Sequence, residues 1–183
     1  MAELSRHAIF ISPYMPNAYG NGCEQRAWQH LQGLKLNQRK VSLILLDWGQ
    51  HLPDENLNGL INQTNGILRF SCNKDKLTHF KHTRFSKLKL LLRRSTETLH
   101  SDTLRQLTVL INRISPDLIF CYSLQAGLIW SELAPGLDIS KPTSIIDLNE
   151  SSPIAMHNKL ESTKQLYSLQ QYIVKKVHIA SVT

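Results

Sequence analysis

Short β-prone runs recur along the chain, each separated from the next by a segment whose apolar residues return every three or four positions. The runs are Ala8–Ile11, Val41–Leu46, Ile67–Phe70, Leu118–Tyr122, Thr143–Leu148 and Val177–Val182. A strand with one face in water alternates apolar and polar residues, so mostly continuous apolar runs predict strands buried on both faces, as in a parallel sheet covered by helices. Between them, Ala27, Leu31 and Leu34 predict a helix that starts near Gly22 and stops at Asn37. Leu57, Leu60 and Ile61 predict a short helix within Pro53–Gln63, and Leu99, Leu104, Leu107, Leu110, Ile111 and Ile114 a longer one ended by Pro116. Leu124–Leu133 and the stripe Leu160, Leu166, Tyr167, Ile173 and Val174 predict two more. The expected fold class is α/β: a doubly wound, mainly parallel sheet of about six or seven strands with helices on both faces.

At 183 residues the chain is the size of one domain. Its formal charge of +7 favours anionic partners without choosing among phosphorylated metabolites, nucleic acid and an acidic membrane face. Cys23, Cys72 and Cys121 are widely spaced and form no C-x-x-C pair, so neither a disulfide framework nor a zinc site is indicated, and a reducing cytoplasm is expected. The N-terminus is a poor match to a signal peptide, and no apolar run approaches the roughly 20 residues that a membrane-spanning helix needs. The expected localisation is cytoplasmic, with peripheral association at the inner face of the membrane as the variant.

In open α/β sheets ligands bind beyond the carboxyl ends of the strands, so the loops after Ile11, Leu46, Tyr122 and Leu148 come first in any search for a site. The first loop and the helix start that follows it read SPYMPNAYGNGCEQRAW. Gly20 and Gly22 supply two glycines of a dinucleotide fingerprint, but Gln25 holds the place of the third and the lead-in from Pro13 is long for that turn. Asp47 at the end of the second run would suit a ribose contact; no Walker-type phosphate loop occurs. The remaining readings are a turn without a ligand, or a relaxed loop that offers main-chain N–H groups at a helix N-terminus to an anion or a hydroxyl-rich ligand, with Arg26 in reach.

The order of these segments resembles that of GT-B glycosyltransferases of the family-four, group-1 kind. IFISPYMP, GNGCEQR and KVSLILLD resemble the family's first strand, glycine pair with its helix arginine, and second strand. SPDLIFCYS, SIIDLNESS and VHIASVT resemble its fourth strand, the end of the next, and the strand that closes its N-terminal domain. Departures are the Asn21 that splits the glycine pair, Gln38-Arg39-Lys40-Val41 in place of a G-H-x-V step, and Cys121-Tyr122-Ser123 where a histidine often follows the fourth strand. The resemblance implies that residues 1–183 are one Rossmann-like, acceptor-side domain of an enzyme that transfers a sugar from a nucleotide-sugar donor. The nucleotide-binding C-terminal domain would lie outside this chain or in a partner subunit, so the chain alone would be inactive and would bind no cofactor itself. The implied acceptor contacts are Gly20, Asn21, Gly22, Arg26, Tyr122 and Ser151.

Asp147 and Glu150 are candidate proton-accepting or hydroxyl-binding carboxylates, since carboxylates accept hydrogen bonds from sugar hydroxyls. Glu150 or Ser151 could equally cap the next segment. The segment Lys74–Arg94 is basic and amphipathic at once, and Lys81, Arg84, Lys87, Lys89, Arg93 and Arg94 are its candidate anion or membrane contacts. The competing reading is a basic helix that packs its leucine face on the domain; nucleic-acid binding ranks third, since no recognised motif accompanies the charge. His79 and His82 share a helix face but lack a third ligand, so no metal site is expected. A non-enzymatic α/β module that binds anionic lipid or nucleic acid through this segment is the alternative to a glycosyltransferase.

Overall fold

The computed structural model describes residues 6–37, 39–47, 55–72, 101–138 and 142–147. In chain order these form β1 (His7–Ser12), α1 (Gly22–Leu36), β2 (Lys40–Asp47), α2 (Glu55–Ile61), β3 (Gly66–Ser71), α3 (Ser101–Ile114), β4 (Leu118–Tyr122), α4 (Leu124–Leu133) and β5 (Thr143–Asp147). The strands make one sheet in the order β3-β2-β1-β4-β5, and every neighbouring pair is parallel. This is an α/β, Rossmann-like arrangement, in which the chain winds outward in one direction from β1 and then returns to wind in the other.

The sheet has five strands among the described residues, not six or seven. The sixth run, Val177–Val182, and the helix expected over 160–174 lie outside the described residues, as do the basic segment 74–94, Glu150 and Ser151.

The apolar runs are continuous because both sheet faces are covered. Ile9, Ile11, Ile44, Leu46, Ile119 and Cys121 point to one side, where they pack with Leu107 and Ile111 of α3 and with Ile129 and Leu133 of α4. Ala8, Phe10, Val41, Leu43, Leu45, Leu118 and Tyr122 point to the other, against Ala27, Leu31 and Leu34 of α1 and Leu60 of α2. Each successive residue thus meets a helix, and a polar residue at any of these positions would be desolvated without a partner. No helix among the described residues is long and apolar enough to cross a membrane.

Two further local signals set the frame. Asn37 ends α1 by donating from its side-chain amide to the Gly33 carbonyl (2.8 Å). Ser115 ends α3 in the left-handed region, at φ 47°, with its N–H on the Ile111 carbonyl (2.9 Å), and Pro116 follows, which cannot continue a helix.

Candidate functional site

The direction of winding reverses between β1 and β4, and in open α/β sheets the space beyond the carboxyl ends of the strands at such a reversal is the usual ligand crevice. The β1–α1 loop is built from its own side chains. The Ser12 hydroxyl accepts the Tyr14 N–H (3.0 Å) and donates to the Tyr14 carbonyl (2.7 Å), which turns the chain over the end of β1. Met15 is buried beneath it, while Tyr19 at the loop's tip is 96% exposed.

Asn21 is the N-cap of α1: its side-chain oxygen accepts from the N–H groups of Cys23 (3.0 Å) and Glu24 (3.2 Å). Glu24 returns the favour, accepting from the Asn21 N–H at 2.8 Å, which completes a capping box. Gly20 is a glycine because Glu24 lies across it; a Cβ there would stand 2.1 Å from the Glu24 Oε2 and 2.8 Å from its Cβ. The Gln25 side chain donates to the Gly20 carbonyl (2.7 Å). Two of the helix N–H groups expected to serve a ligand are therefore taken by the Asn21 amide oxygen, and the Glu24 carboxylate holds the N–H of Asn21 itself. Around Gly22 nothing lies within 4 Å of a Cβ, so its backbone is open to solvent rather than crowded.

One turn further along α1 the chemistry changes. Tyr122 and Asp147 are register partners at the ends of β4 and β5, so their side chains leave the sheet on the same face, the one that α1 covers. Arg26 and His30, four residues apart and hence neighbours on one side of the helix, meet Asp147 there. His30 Nε2 lies 2.8 Å from Asp147 Oδ2, and Arg26 Nε lies 3.4 Å from the same oxygen. The His30 ring packs on Phe120 (centroids 4.8 Å apart) and Tyr122 (5.2 Å), and Tyr14 from the loop reaches Tyr122 at 5.7 Å. A cation, an imidazole and a carboxylate thus stand beside an aromatic wall. No protein-family model matches the chain, and no curated protein matches its sequence.

Exposure grades the three polar groups: the Asp147 side chain is 11% exposed, His30 24% and Arg26 40%. Burial holds the His30 imidazole below its ordinary value of 6.5; Asp147 opposes that shift and the Arg26 charge adds to it. The shift favours the neutral imidazole. A carboxylate only accepts, so the shared proton sits on Nε2, and Nδ1 is left with a lone pair.

Ser123, directly after Tyr122, is fully buried at φ 94° and ψ 160°, a region that side-chain-bearing residues rarely adopt. Such strain costs about 1–3 kcal/mol and is held by several bonds at once. The Ser123 N–H donates to the Asp147 carbonyl (3.1 Å), its Oγ accepts from the Ala126 N–H (3.4 Å), and the hydroxyl donates to the Gln125 side chain (3.1 Å). Ser123 both caps α4 and fixes the end of β4 against the end of β5.

Of the residues singled out in the sequence, Arg26, Tyr122 and Asp147 converge. Gly20 and Asn21 serve the start of α1 instead, and Gly22 stands open beside them. Asp47, the candidate ribose contact, is held by Arg69 from β3, whose Nε and Nη2 lie 3.2 and 2.8 Å from its Oδ2. Sequence reading missed His30, Tyr14 and Ser123. His30 had a signal, its i+4 spacing from Arg26; Ser123 had none. Among the described residues no group of three His, Cys, Asp or Glu side chains is placed to hold a metal ion.

Proposed function

We propose that the chain is the acceptor-side, Rossmann-like domain of a GT-B glycosyltransferase, working with a second α/β domain that reads a nucleotide-sugar donor. The observation that carries this reading is the convergence of Arg26, His30 and Asp147 beside Tyr14 and Tyr122 at the crevice where the winding reverses. Hydroxyl-rich ligands are bound by such sets: a carboxylate and an imidazole take hydroxyl hydrogens, a guanidinium gives to hydroxyl oxygens, and aromatic faces pack on the sugar's C–H groups. A dinucleotide is a poorer fit, because Glu24 occupies the place of its pyrophosphate and Arg69 occupies Asp47.

The test is a protein-observed NMR titration of the chain with sugars on one side and NAD(P)H on the other. Sugars are expected to shift the signals of His30, Tyr14 and Tyr122, and Arg26→Ala is expected to abolish that shift. The same substitution should leave stability within about 1 kcal/mol, since an ion pair this exposed contributes little. Saturable binding of NAD(P)H in the crevice, with no response to any sugar, refutes the reading.

A further inference from the structure

Resting on that acceptor-domain reading, we propose that His30 selects the ligand: its Nδ1 receives the hydrogen of a ligand hydroxyl, with Asp147 as the positioning residue that keeps the ring's proton on the opposite nitrogen. Three observations lead there. Nε2 is committed to Asp147 at 2.8 Å, while Nδ1 makes no hydrogen bond among the described residues. The ring packs on Phe120 and Tyr122 of β4, and a half-turn about its Cβ–Cγ bond would keep those contacts but take Nε2 off Asp147, so the carboxylate fixes which nitrogen faces it. The His30 side chain as a whole keeps 24% of its surface exposed, although Tyr122 beside it is buried.

Among the described residues, the charged and titratable groups that face the ring are Arg26 from its own helix, Asp147 from β5 and Tyr122 from β4. Their balance sets a pH dependence. Burial first, and then Arg26, disfavour the imidazolium, and Asp147 offsets part of this. The folded state therefore binds its proton more weakly than the unfolded chain, and the stability that the neutral ring contributes is complete above pH 6.5 and is lost as pH falls from 6.5 through the folded value. Ligand binding has the same sign, because protonated Nδ1 becomes a donor and can no longer receive the hydroxyl hydrogen.

The experiment uses the full chain with ¹⁵N-labelled histidine and a panel of methyl glycosides of glucose, galactose, mannose and N-acetylglucosamine as probes. Long-range ¹H–¹⁵N spectra are expected to show His30 as the Nε2–H tautomer, titrating below 6.5. Affinity for a bound glycoside should fall about tenfold per pH unit once His30 is protonated, with circular dichroism verifying the fold at each pH. His30→Gln, whose amide oxygen accepts but does not titrate, should keep binding and lose its pH dependence. Asp147→Asn should lower the His30 pKa further, because the carboxylate is the group that raises it. An Nδ1–H tautomer, pH-independent affinity in the wild type, or a pH dependence that survives in His30→Gln overturns this inference and leaves the acceptor reading standing. No response to any glycoside at any pH overturns both.

Discussion

Three adjacent positions at the start of α1 should respond to the same small change in three ways. Asn21→Ala removes the acceptor for two helix N–H groups, a loss of about 1 kcal/mol, whereas Asn21→Ser or Asn21→Asp should be close to neutral. Gly20→Ala drives a methyl group into Glu24, whose carboxylate must then release the Asn21 N–H; losing that exposed, charge-assisted bond costs on the order of 1 kcal/mol. Gly22→Ala meets nothing within 4 Å and gains helix propensity, so it should stabilise by a few tenths of the roughly 1 kcal/mol seen in helix interiors. Urea unfolding followed by circular dichroism reads all three, provided the slope m is unchanged; in a melting curve each 1 kcal/mol appears as about 2–4 °C for a chain of this length. A double-mutant cycle sharpens the test. In a Glu24→Gly background both the carboxylate and the Cβ that crowd Gly20 are gone, so Gly20→Ala should then cost nothing beyond its intrinsic propensity. If Gly20→Ala costs the same in both backgrounds, or if Gly22→Ala destabilises as much as Gly20→Ala, the capping account of this loop is wrong.

Two other outcomes follow from the core. Phe10 is fully buried and meets Phe120 edge-on at 5.7 Å, so Phe10→Ala should cost about 3–5 kcal/mol by urea unfolding, while Tyr19→Ala, at a site 96% exposed, should stay within about 0.5 kcal/mol; a loss under 1 kcal/mol at Phe10 would contradict the packing described for that face. Native labelling with a thiol reagent, read by peptide mass spectrometry, should modify Cys23 first, because burial, aided by Asp47 and Glu132, pushes the Cys72 thiol up to about 12 and burial alone pushes Cys121 higher still. Comparable labelling of Cys121 in the folded chain would be incompatible with its place in the core.

The elements were legible in the sequence because a sheet covered on both faces leaves an unmistakable record. Val41–Leu46 has no polar interruption except Ser42, and Ser42 sits at the strand's start, where the ring of His7 reaches it at 3.0 Å. The start of α1 at Gly22 and its stop at Asn37 followed from residue chemistry that acts within one turn. The site was legible only by halves. Arg26 and Asp147 each stood where a functional residue was expected, but the contact between them joins α1 to the end of β5, a tertiary placement that no local pattern encodes. His30 carried only a weak signal, its i+4 spacing from Arg26: on the helix it is one polar residue beside Ala27 and Leu31, and only the presence of Phe120, Tyr122 and Asp147 beneath it separates it from a solvated side chain. Ser123 depends on a backbone angle that a serine does not announce.

Asn21 shows why the glycine pair was harder to read than its spacing suggested. A capping side chain and a ligand-binding side chain occupy the same place at a helix N-terminus and use the same N–H groups, so composition cannot separate them; the residue three positions later can. Glu24 at that position accepts the Asn21 N–H and brings a negative charge to the end of the helix dipole where an anionic ligand would otherwise settle. A phosphate approaching α1 end-on would have to displace that carboxylate and then do without the two N–H groups that Asn21 holds. Approach from the side, one turn down, meets Arg26 and the free edge of His30 instead, with Asp147 already balancing the guanidinium. The loop therefore shapes the entrance to the crevice, and recognition falls to the face of α1 that looks along β4 and β5.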